Sequence, residues 1–236
     1  MGITLKSPEA QARMRAAGQA AASVLTMIEA HVRPGISTAE LDRICRQYIE
    51  NTLGCVSATV GYTAGGSRPP FTGAICTSVN QVVCHGIPSA KKVLKNGDIL
   101  NIDITVIKDG YFGDTSKMFC IGDVPEHAVR LIKVTQECLY KAINIVRPGI
   151  RLGDIGHIIQ QHAEANYYSV VRDYCGHGIG TEFHQDPQVL HDLLAREHVW
   201  PVPELQGGRF PGPLPRLPAR DEDELRLPPP SPALTS

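Results

Sequence analysis

The stretch NIDITVIKDGYFGDTSKMF, residues 101–119, has the pattern of a β-hairpin that carries two aspartates. Up to the break at Lys108-Asp109-Gly110, every second residue is apolar, which predicts a strand with one buried face. Asp-Gly is typical of a tight hairpin turn. We therefore predict paired strands at 98–107 and 111–121, with Asp103 and Asp114 nearly opposite each other. The predicted buried face consists of Leu100, Ile102, Ile104 and Val106, and the other face carries Asn101, Asp103 and Thr105.

Two carboxylates held this close repel each other unless something neutralises them. A bound cation would do so, and so would a proton shared between the two groups. A third interpretation is that both side chains face solvent near the turn, where Asp is common. The pair alone leaves all three open.

Three histidines in turn-like sequence favour the cation. His85 lies in CHGIPS, His177 in GHGIG and His184 in EFHQDP. A lone histidine is more often structural, but three of them beside two carboxylates offer mixed nitrogen and oxygen ligands that suit Zn, Mn, Fe or Co. Cys84 and Cys175 are further candidates as ligands or nucleophiles, although their strand-like surroundings predict small, buried thiols.

Composition gives no indication of several classes of partner. The 236 residues carry a net charge of -1 with a pI near 6.7, so we expect neither nucleic acid nor membrane as a partner. No apolar run approaches the roughly 18 residues of a membrane span, and the N-terminus does not read as a secretory signal. Seven scattered cysteines indicate a reducing, cytoplasmic setting.

The segment VRPGI occurs twice, at 32–36 and 146–150. Each copy follows a predicted helix, at 8–31 and 126–145, and precedes another. Pro-Gly is a common break, so a recurring turn is one interpretation. The equivalent context instead predicts two similar halves, each built as helix, break, helix and strands. A cleft between such halves is a usual place for a binding site.

Local signals complete the predicted elements. Ser7 is the expected N-cap of the first helix and Thr38 that of a second helix, which runs to Asn51. Further strands are predicted at 56–62, 73–78, 81–84 and 168–175.

The segment 192–236 differs from the rest because it holds ten of the chain's 18 prolines. That density excludes a central strand or a long helix. We predict one domain over 1–191 and a disordered, Pro-rich tail over 192–236.

Taken in order, VVCHGIPS (82–89), GDILNIDITVIKDGYFGDTSKMF (97–119) and RDYCGHGIGTEFHQDPQVLH (172–191) resemble the motifs of type I methionine aminopeptidases. The resemblance covers about residues 1–191. It implies the α/β (α+β) pita-bread fold of two pseudo-symmetric halves. It also implies a metal-dependent hydrolase that removes the N-terminal methionine from nascent proteins.

The resemblance further implies roles for single positions. His85 and His184 match the histidines that contact substrate and act in catalysis. Tyr62, Cys76 and Phe183 match residues that line the pocket for the methionine side chain. The family's metal ligands match Asp103, Asp114 and His177. In the family the second of these aspartates bridges two divalent ions.

The chain departs from the family pattern in two places. Residues 63–75 are longer and richer in Gly and Pro than the usual segment. The family also has two glutamate ligands after its last histidine motif, whereas the similarity here ends near His191. We expect the second half to be incomplete, truncated or replaced after about residue 191. We also expect the site to bind one metal ion, or to bind metal weakly. Neither ligand is assigned to the downstream glutamates Glu197, Glu204, Glu222 and Glu224.

Two alternatives to the enzyme stay open. Because two ligands are missing, the chain could be an inactive partial pita-bread domain, either a binding module or a non-functional relic. A proline-directed peptidase of the same fold is favoured less, since CHGIPS and GDTSKMF match the methionine enzymes. For the enzyme we expect a cytoplasmic monomer that acts on nascent N-termini at the ribosome.

Overall fold

Two helices followed by strands occur twice along residues 3–63 and 69–191, the part of the chain that this computed structural model describes. All these residues belong to one compact unit. The helices are α1 (Pro8–Ile28), α2 (Thr38–Gln47), α3 (Glu126–Ile145) and α4 (Leu152–Ala165). A 3-10 turn, Glu29–His31, extends α1, and a π turn, Tyr48–Thr52, extends α2. The strands are β1 (Val56–Ser57), β2 (Cys76–Val79), β3 (Ile99–Lys108), β4 (Tyr111–Cys120), β5 (Gly176–Gly178) and β6 (Gln185–Val189).

The β3–β4 hairpin forms the centre of the first half, as its sequence predicts. Asp109 and Gly110 both have positive φ, 49° and 79°, which is the geometry of a two-residue type I′ turn. One edge of β3 pairs with β4 along its whole length. The other edge is shared by β2, at 100–103, and by β1, at 106–107. The result is a four-stranded antiparallel sheet.

The register corrects one detail of the prediction. Asp114 lies opposite Thr105, and Asp103 lies opposite Ser116. The two aspartates are therefore diagonal neighbours, displaced by two residues, and not directly opposite. They still share a face, because side chains two residues apart on a strand point the same way.

The hydrophobic core lies between this sheet and the first two helices. The predicted apolar face of β3 is fully buried, with 0% of each side chain exposed at Leu100, Ile102, Ile104 and Val106. It packs against one face of α1, which includes Val24. At the crossing of α1 and β4 the backbones nearly touch, because a Cβ at Gly113 would lie 2.3 Å from the carbonyl of Ala17. Only glycine fits there.

The two VRPGI segments occupy equivalent positions. Gly35 and Gly149 have the same left-handed backbone, with φ of 88° and 92°. The preceding helical segments end at His31 and Ile145, and the following helices begin at Thr38 and Leu152. Since the same breaks fall at the same offset, the structure has two helix–break–helix units, as the repeat predicts.

The second half buries less apolar surface than the first. α3 packs on α4, with Val134, Cys138 and Ala142 buried along one face. On the other side of α3, Leu139 is 56% exposed, and no element within the described residues covers it. β5 and β6 pair as a separate two-stranded ribbon. This matches the expectation of an incomplete second half.

Several boundary predictions are wrong for identifiable reasons. Strand 56–62 ends at Ser57, because the chain turns where the Tyr62 amide donates to the Thr59 carbonyl at 3.0 Å. Strand 73–78 begins only at Cys76, since the two preceding amides donate to a side chain. Residues 81–84 follow a turn from Val79, and 168–175 pair with no described strand.

Helix starts show one success and one error. The Ser7 hydroxyl accepts from the Ala10 amide at 3.2 Å and caps α1 as predicted. Thr38 does not cap α2, because Ser37 accepts from the Glu40 amide at 3.2 Å. The Thr38 hydroxyl instead donates to the Ser89 carbonyl at 3.1 Å.

Among the described helices, none has both the length and the apolar character required to cross a membrane. The predicted Pro-rich tail, 192–236, lies outside the described residues.

Candidate active site

All eight predicted site residues line one cavity of about 1410 Å³. They come from separate parts of the chain, since the loops around β1 and β2, the hairpin, and the β5–β6 region each contribute. The lining includes Tyr62, Cys76, His85, Asp103, Asp114, His177, Phe183 and His184. Convergence of the predicted ligands with aromatic and apolar walls is the usual form of a small-molecule or peptide site.

The two carboxylates interact as the sequence predicts. Burial and, after it, the nearby Asp114 carboxylate together raise the pKa of Asp103 to about 7. Thr105, the cross-strand partner of Asp114, donates a hydrogen bond to Asp114 Oδ1 at 3.0 Å. This bond fixes one oxygen of Asp114 and leaves Oδ2 directed elsewhere.

His177 directs its second nitrogen at the other Asp114 oxygen, Oδ2. Its Nδ1 lies 2.9 Å from the Gly178 carbonyl oxygen, which can only accept, so Nδ1 carries the proton. In the neutral ring Nε2 is then an acceptor, and it lies 3.7 Å from Asp114 Oδ2. Two acceptors that face each other favour a cation or a proton between them.

His184 lies in an aromatic stack beside this group. Its ring centroid is 4.4 Å from that of His177 and 4.3 Å from that of Phe183. Burial lowers the pKa of His184, and the neighbouring His177 lowers that pKa further. The Tyr62 hydroxyl lies 3.3 Å from His184 Nδ1 and orients the ring. A neutral imidazole at this position can donate or accept a proton near neutral pH.

His85 reaches the cavity from a strained loop. Its φ is 55°, a left-handed value that is uncommon outside glycine. The loop is held where the Thr77 amide donates to the Gly86 carbonyl at 2.8 Å. A Cβ at Gly86 would collide with the Thr77 backbone, so only glycine can follow His85. The His85 ring packs edge-on against Tyr174, with centroids 5.3 Å apart.

The cysteines at the cavity differ from each other. Cys76 is 6% exposed, and burial raises the pKa of its thiol to about 12, so it forms an unreactive wall. Cys84 and Cys175 are only partly buried and lie outside strands, in contrast to the prediction. Burial raises the pKa of Cys84, while a hydrogen bond with Tyr174 lowers that pKa.

The ligand atoms fit a divalent metal in their chemistry but do not enclose one. Within residues 3–63 and 69–191, no three His, Cys, Asp or Glu side chains form a group that could hold a metal ion. Asp103, Asp114 and His177 supply carboxylate and imidazole donors on one side of the cavity. The downstream glutamates named above lie outside the described residues.

Sequence reasoning missed some cavity residues. Thr105 was placed on the correct face but given no role, although its register with Asp114 makes it a hydrogen-bond partner. Tyr174 supports both His85 and Cys84, and no local pattern marked it. Lys6 reaches the cavity from the N-terminal segment and donates to Gln185 Oε1 at 2.7 Å, a contact across 179 residues that no local signal carries.

Comparison with known proteins identifies the family. The model of metallopeptidase family M24 matches residues 12–207. The chain belongs to metallopeptidase family M24. Membership in M24 implies dependence on divalent metal, which the cavity chemistry fits.

Individual members of M24 extend the comparison. The chain is 55% identical over 191 residues to the methionine aminopeptidase of Escherichia coli (strain K12). The matched region covers 81% of this chain and 70% of that protein. The crystal structure of methionine aminopeptidase from Rickettsia prowazekii superposes with a TM-score of 0.76 at 48% identity, over 81% of this chain and 74% of that one. The crystal structure of the methionine aminopeptidase from Thermotoga maritima superposes with a TM-score of 0.75 at 37% identity, over 81% of this chain and 74% of that one.

The fold of this M24 chain is therefore the pita-bread fold of the type I methionine aminopeptidases, as the motifs predict.

Proposed function

We propose that the chain is a methionyl aminopeptidase that hydrolyses the first peptide bond of proteins beginning with methionine. The single observation that carries the proposal is the convergence of Asp103, Asp114 and His177 with His85 and His184 in one cavity. The two relatives compared above, at 55% and 48% identity, carry this activity in their names. They favour the enzyme over the inactive partial domain.

Metal binding is the first requirement. Asp103, Asp114 and the Nε2 atom of His177 would supply part of the ligand set for a divalent ion, for which Co, Mn, Fe and Zn are the candidates. The family binds two ions per site, and with this partial set we expect one ion or weak binding. When bound, such an ion supplies a Lewis acid that polarises a carbonyl and acidifies water. Loss of the Asp103 proton must accompany binding, because only the carboxylate is a ligand.

The remaining residues orient the peptide. Tyr62, Cys76 and Phe183 give an apolar wall for the first side chain. A free N-terminal amine anchored near the metal-binding residues would restrict cleavage to the first residue. His184 would polarise the scissile carbonyl, since its lowered pKa keeps it neutral and able to donate one hydrogen bond. His85 would serve the amide nitrogen of the leaving peptide.

The physiological setting follows from the substrate. Nascent polypeptide N-termini at the ribosome are the proposed partners, and the cytoplasm is the proposed compartment. We propose a monomer, with no nucleic acid or membrane partner.

A direct assay tests the proposal. The purified chain is supplied with Co²⁺ or Mn²⁺, and release of free methionine from Met-Gly-Met is measured while metal is titrated. We expect turnover that saturates with metal and is abolished by Asp114→Ala. The matched control is Asp123→Ala, an acid on the loop after β4, which should act like the parent chain. No turnover, together with metal binding weaker than micromolar, would instead indicate the inactive partial domain.

A further inference from the structure

The loop between β1 and β2 carries two walls of the proposed methionine pocket. Tyr62 lies on its first arm, Cys76 begins β2 at the end of the second arm, and both line the cavity. The described residues 69–75 form no helix or strand. Because no strand ladder fixes this Gly- and Pro-rich second arm, other groups must hold it in place.

A single carboxylate holds the end of the second arm. The amides of Ala74 and Ile75 both donate to Oδ1 of Asp42, at 2.7 and 3.1 Å. Both residues are 0% exposed, and a buried amide left without a partner costs roughly 1–3 kcal/mol. Hydrogen bonds to a charged acceptor are stronger than neutral ones. Asp42 therefore replaces the strand partner that these amides lack.

Two hydroxyls bind the opposite side of the same backbone. Ser57 Oγ donates to the Ala74 carbonyl at 2.8 Å, and Thr59 Oγ1 donates to the Gly73 carbonyl at 2.9 Å. Ser57 is 5% exposed and Thr59 is 7% exposed, so both bonds are shielded from water. Asp42, Ser57 and Thr59 together form what we call the Asp42 bracket.

Within α2, Asp42 has a Coulombic attraction to Arg46 one turn further on, but this does not account for its burial. It lies in the second turn, beyond the reach of N-terminal capping, and Asp is a poor helix former in such a position. The neighbouring Leu41 and Cys45 are 0% exposed in the core, so the helix offers a rigid anchor. The carboxylate thus links a fixed helix to the pocket wall.

The Asp42 bracket fixes the positions of two pocket residues, Tyr62 and Cys76. Cys76, the next residue after the bracketed segment, pairs with Asp103 in the sheet. Main-chain bonds join the two arms, because the Phe71 amide donates to the Tyr62 carbonyl at 2.8 Å and the Gly61 amide donates to the Phe71 carbonyl at 2.8 Å. Fixing the second arm therefore fixes Tyr62 as well as Cys76.

We propose that Asp42 is a positioning residue that sets the selectivity of the pocket for an unbranched first side chain. This inference rests on the proposed function, because it assigns the wall that the first side chain meets. A pocket distinguishes side chains of similar size by only a few contacts, so a small displacement of its wall changes the ratio of kcat/KM between two substrates.

The test compares two peptides and one structural measurement. Hydrolysis of Met-Gly-Met and of Leu-Gly-Met is measured with added Co²⁺ or Mn²⁺, and the ratio of their kcat/KM values gives the selectivity. Amide exchange over residues 71–79 is followed by mass spectrometry. The variants are Asp42→Ala, Asp42→Asn and Ser57→Ala. The matched control is Glu40→Gln on the same helix, where the exposed Glu40 side chain forms an ion pair with Arg43.

We expect Asp42→Ala to reduce the selectivity about tenfold, since that is the effect of one or two apolar contacts. Exchange over 71–79 should become faster, Asp42→Asn should give a smaller change, and Glu40→Gln should match the parent. The selectivity ratio does not depend on the active fraction, so a loss of folded protein alone cannot move it.

Two results would overturn the inference. One is an equal loss on both peptides with an unchanged ratio, which would make Asp42 merely structural. The other is unchanged exchange over 71–79. If Asp42→Ala does not fold, the selectivity ratio and the amide exchange of Asp42→Asn and Ser57→Ala test the inference instead. If the parent chain hydrolyses neither peptide, the proposed function fails and the selectivity role fails with it, while exchange still shows whether Asp42 holds the segment.

Discussion

The charge of Asp103 depends strongly on its surroundings. Its carboxyl is buried beside Asp114, and both effects raise its pKa. Below about pH 7 the neutral acid is therefore favoured in the folded protein until a cation compensates the charge. A single side chain couples proton release, metal binding and stability.

The pH dependence of stability follows from that pKa. The folded value is about 7, against 3.8 for an ordinary Asp, so between these values the folded state holds a proton that the unfolded state lacks. We expect the unfolding free energy of the EDTA-treated chain to fall as pH rises from about 4 to about 7, by an amount on the order of a few kcal/mol. Urea titrations at several pH values measure this, and Asp103→Asn should flatten the slope. A slope that Asp103→Asn leaves unchanged would assign the effect to other groups.

Thr105 gives a second prediction for a single residue. Its hydroxyl is the hydrogen-bond partner of Asp114 Oδ1, and outer partners of metal ligands commonly change metal affinity by about 10–100-fold. We expect Thr105→Val to weaken Co²⁺ or Mn²⁺ binding within that range, measured by calorimetry. Thr115→Val is the control, because Thr115 neighbours Asp114 on β4 but points to the other face. Equal affinity in both variants would contradict the role.

The contact of α1 with β4 decides how the first half packs. A Cβ at Gly113 would lie 2.3 Å from backbone atoms of Ala17, while a Cβ at Gly18 would meet nothing within 4 Å. We expect Gly113→Ala to destabilise the fold by roughly 1–3 kcal/mol, because helix and strand must separate. Gly18→Ala should stabilise it by about 0.5–1 kcal/mol through helix propensity. Thermal melts of the two variants should shift in opposite directions, and a shared sign would contradict the packing.

At this scale the sequence predicts those elements whose signals are local. The alternation in β3, the Asp-Gly turn and the repeated VRPGI breaks each have one physical cause within a few residues. Residues 73–78 and 168–175 were mispredicted, because their backbone partners are set by distant side chains or by other strands. The same holds for the site, where His177 and Asp114 were recognisable from motifs but the bond from Thr105 depends on register.

The whole molecule divides its stability unequally between the two halves. The main core cluster comprises residues of the first half only, from Ala20 to Ile121. In the second half, α3 leaves Leu139 and Ile143 56% and 42% exposed. Regions with fewer buried apolar contacts open at lower free energy. The second half should therefore be the less stable part of the described chain.

A denaturation experiment tests this division. We expect amides of α3 and α4 to exchange before those of α1 and β3 as urea increases. Val134→Ala should lower only the first transition, whereas Ile102→Ala should lower the second by about 2–5 kcal/mol. Hydrogen exchange with mass spectrometry resolves both. One cooperative transition, shifted equally by both variants, would contradict the unequal division.

The hairpin register links catalysis to folding in a further way. Because side chains alternate, a slip of one residue between β3 and its neighbours would turn Asp103 into the core and expose Ile102 and Ile104 to water. Such a molecule could not pack against α1. Burial of the aliphatic face of β3 thus fixes the register that places the two aspartates. Folded chains with misaligned ligands should not accumulate.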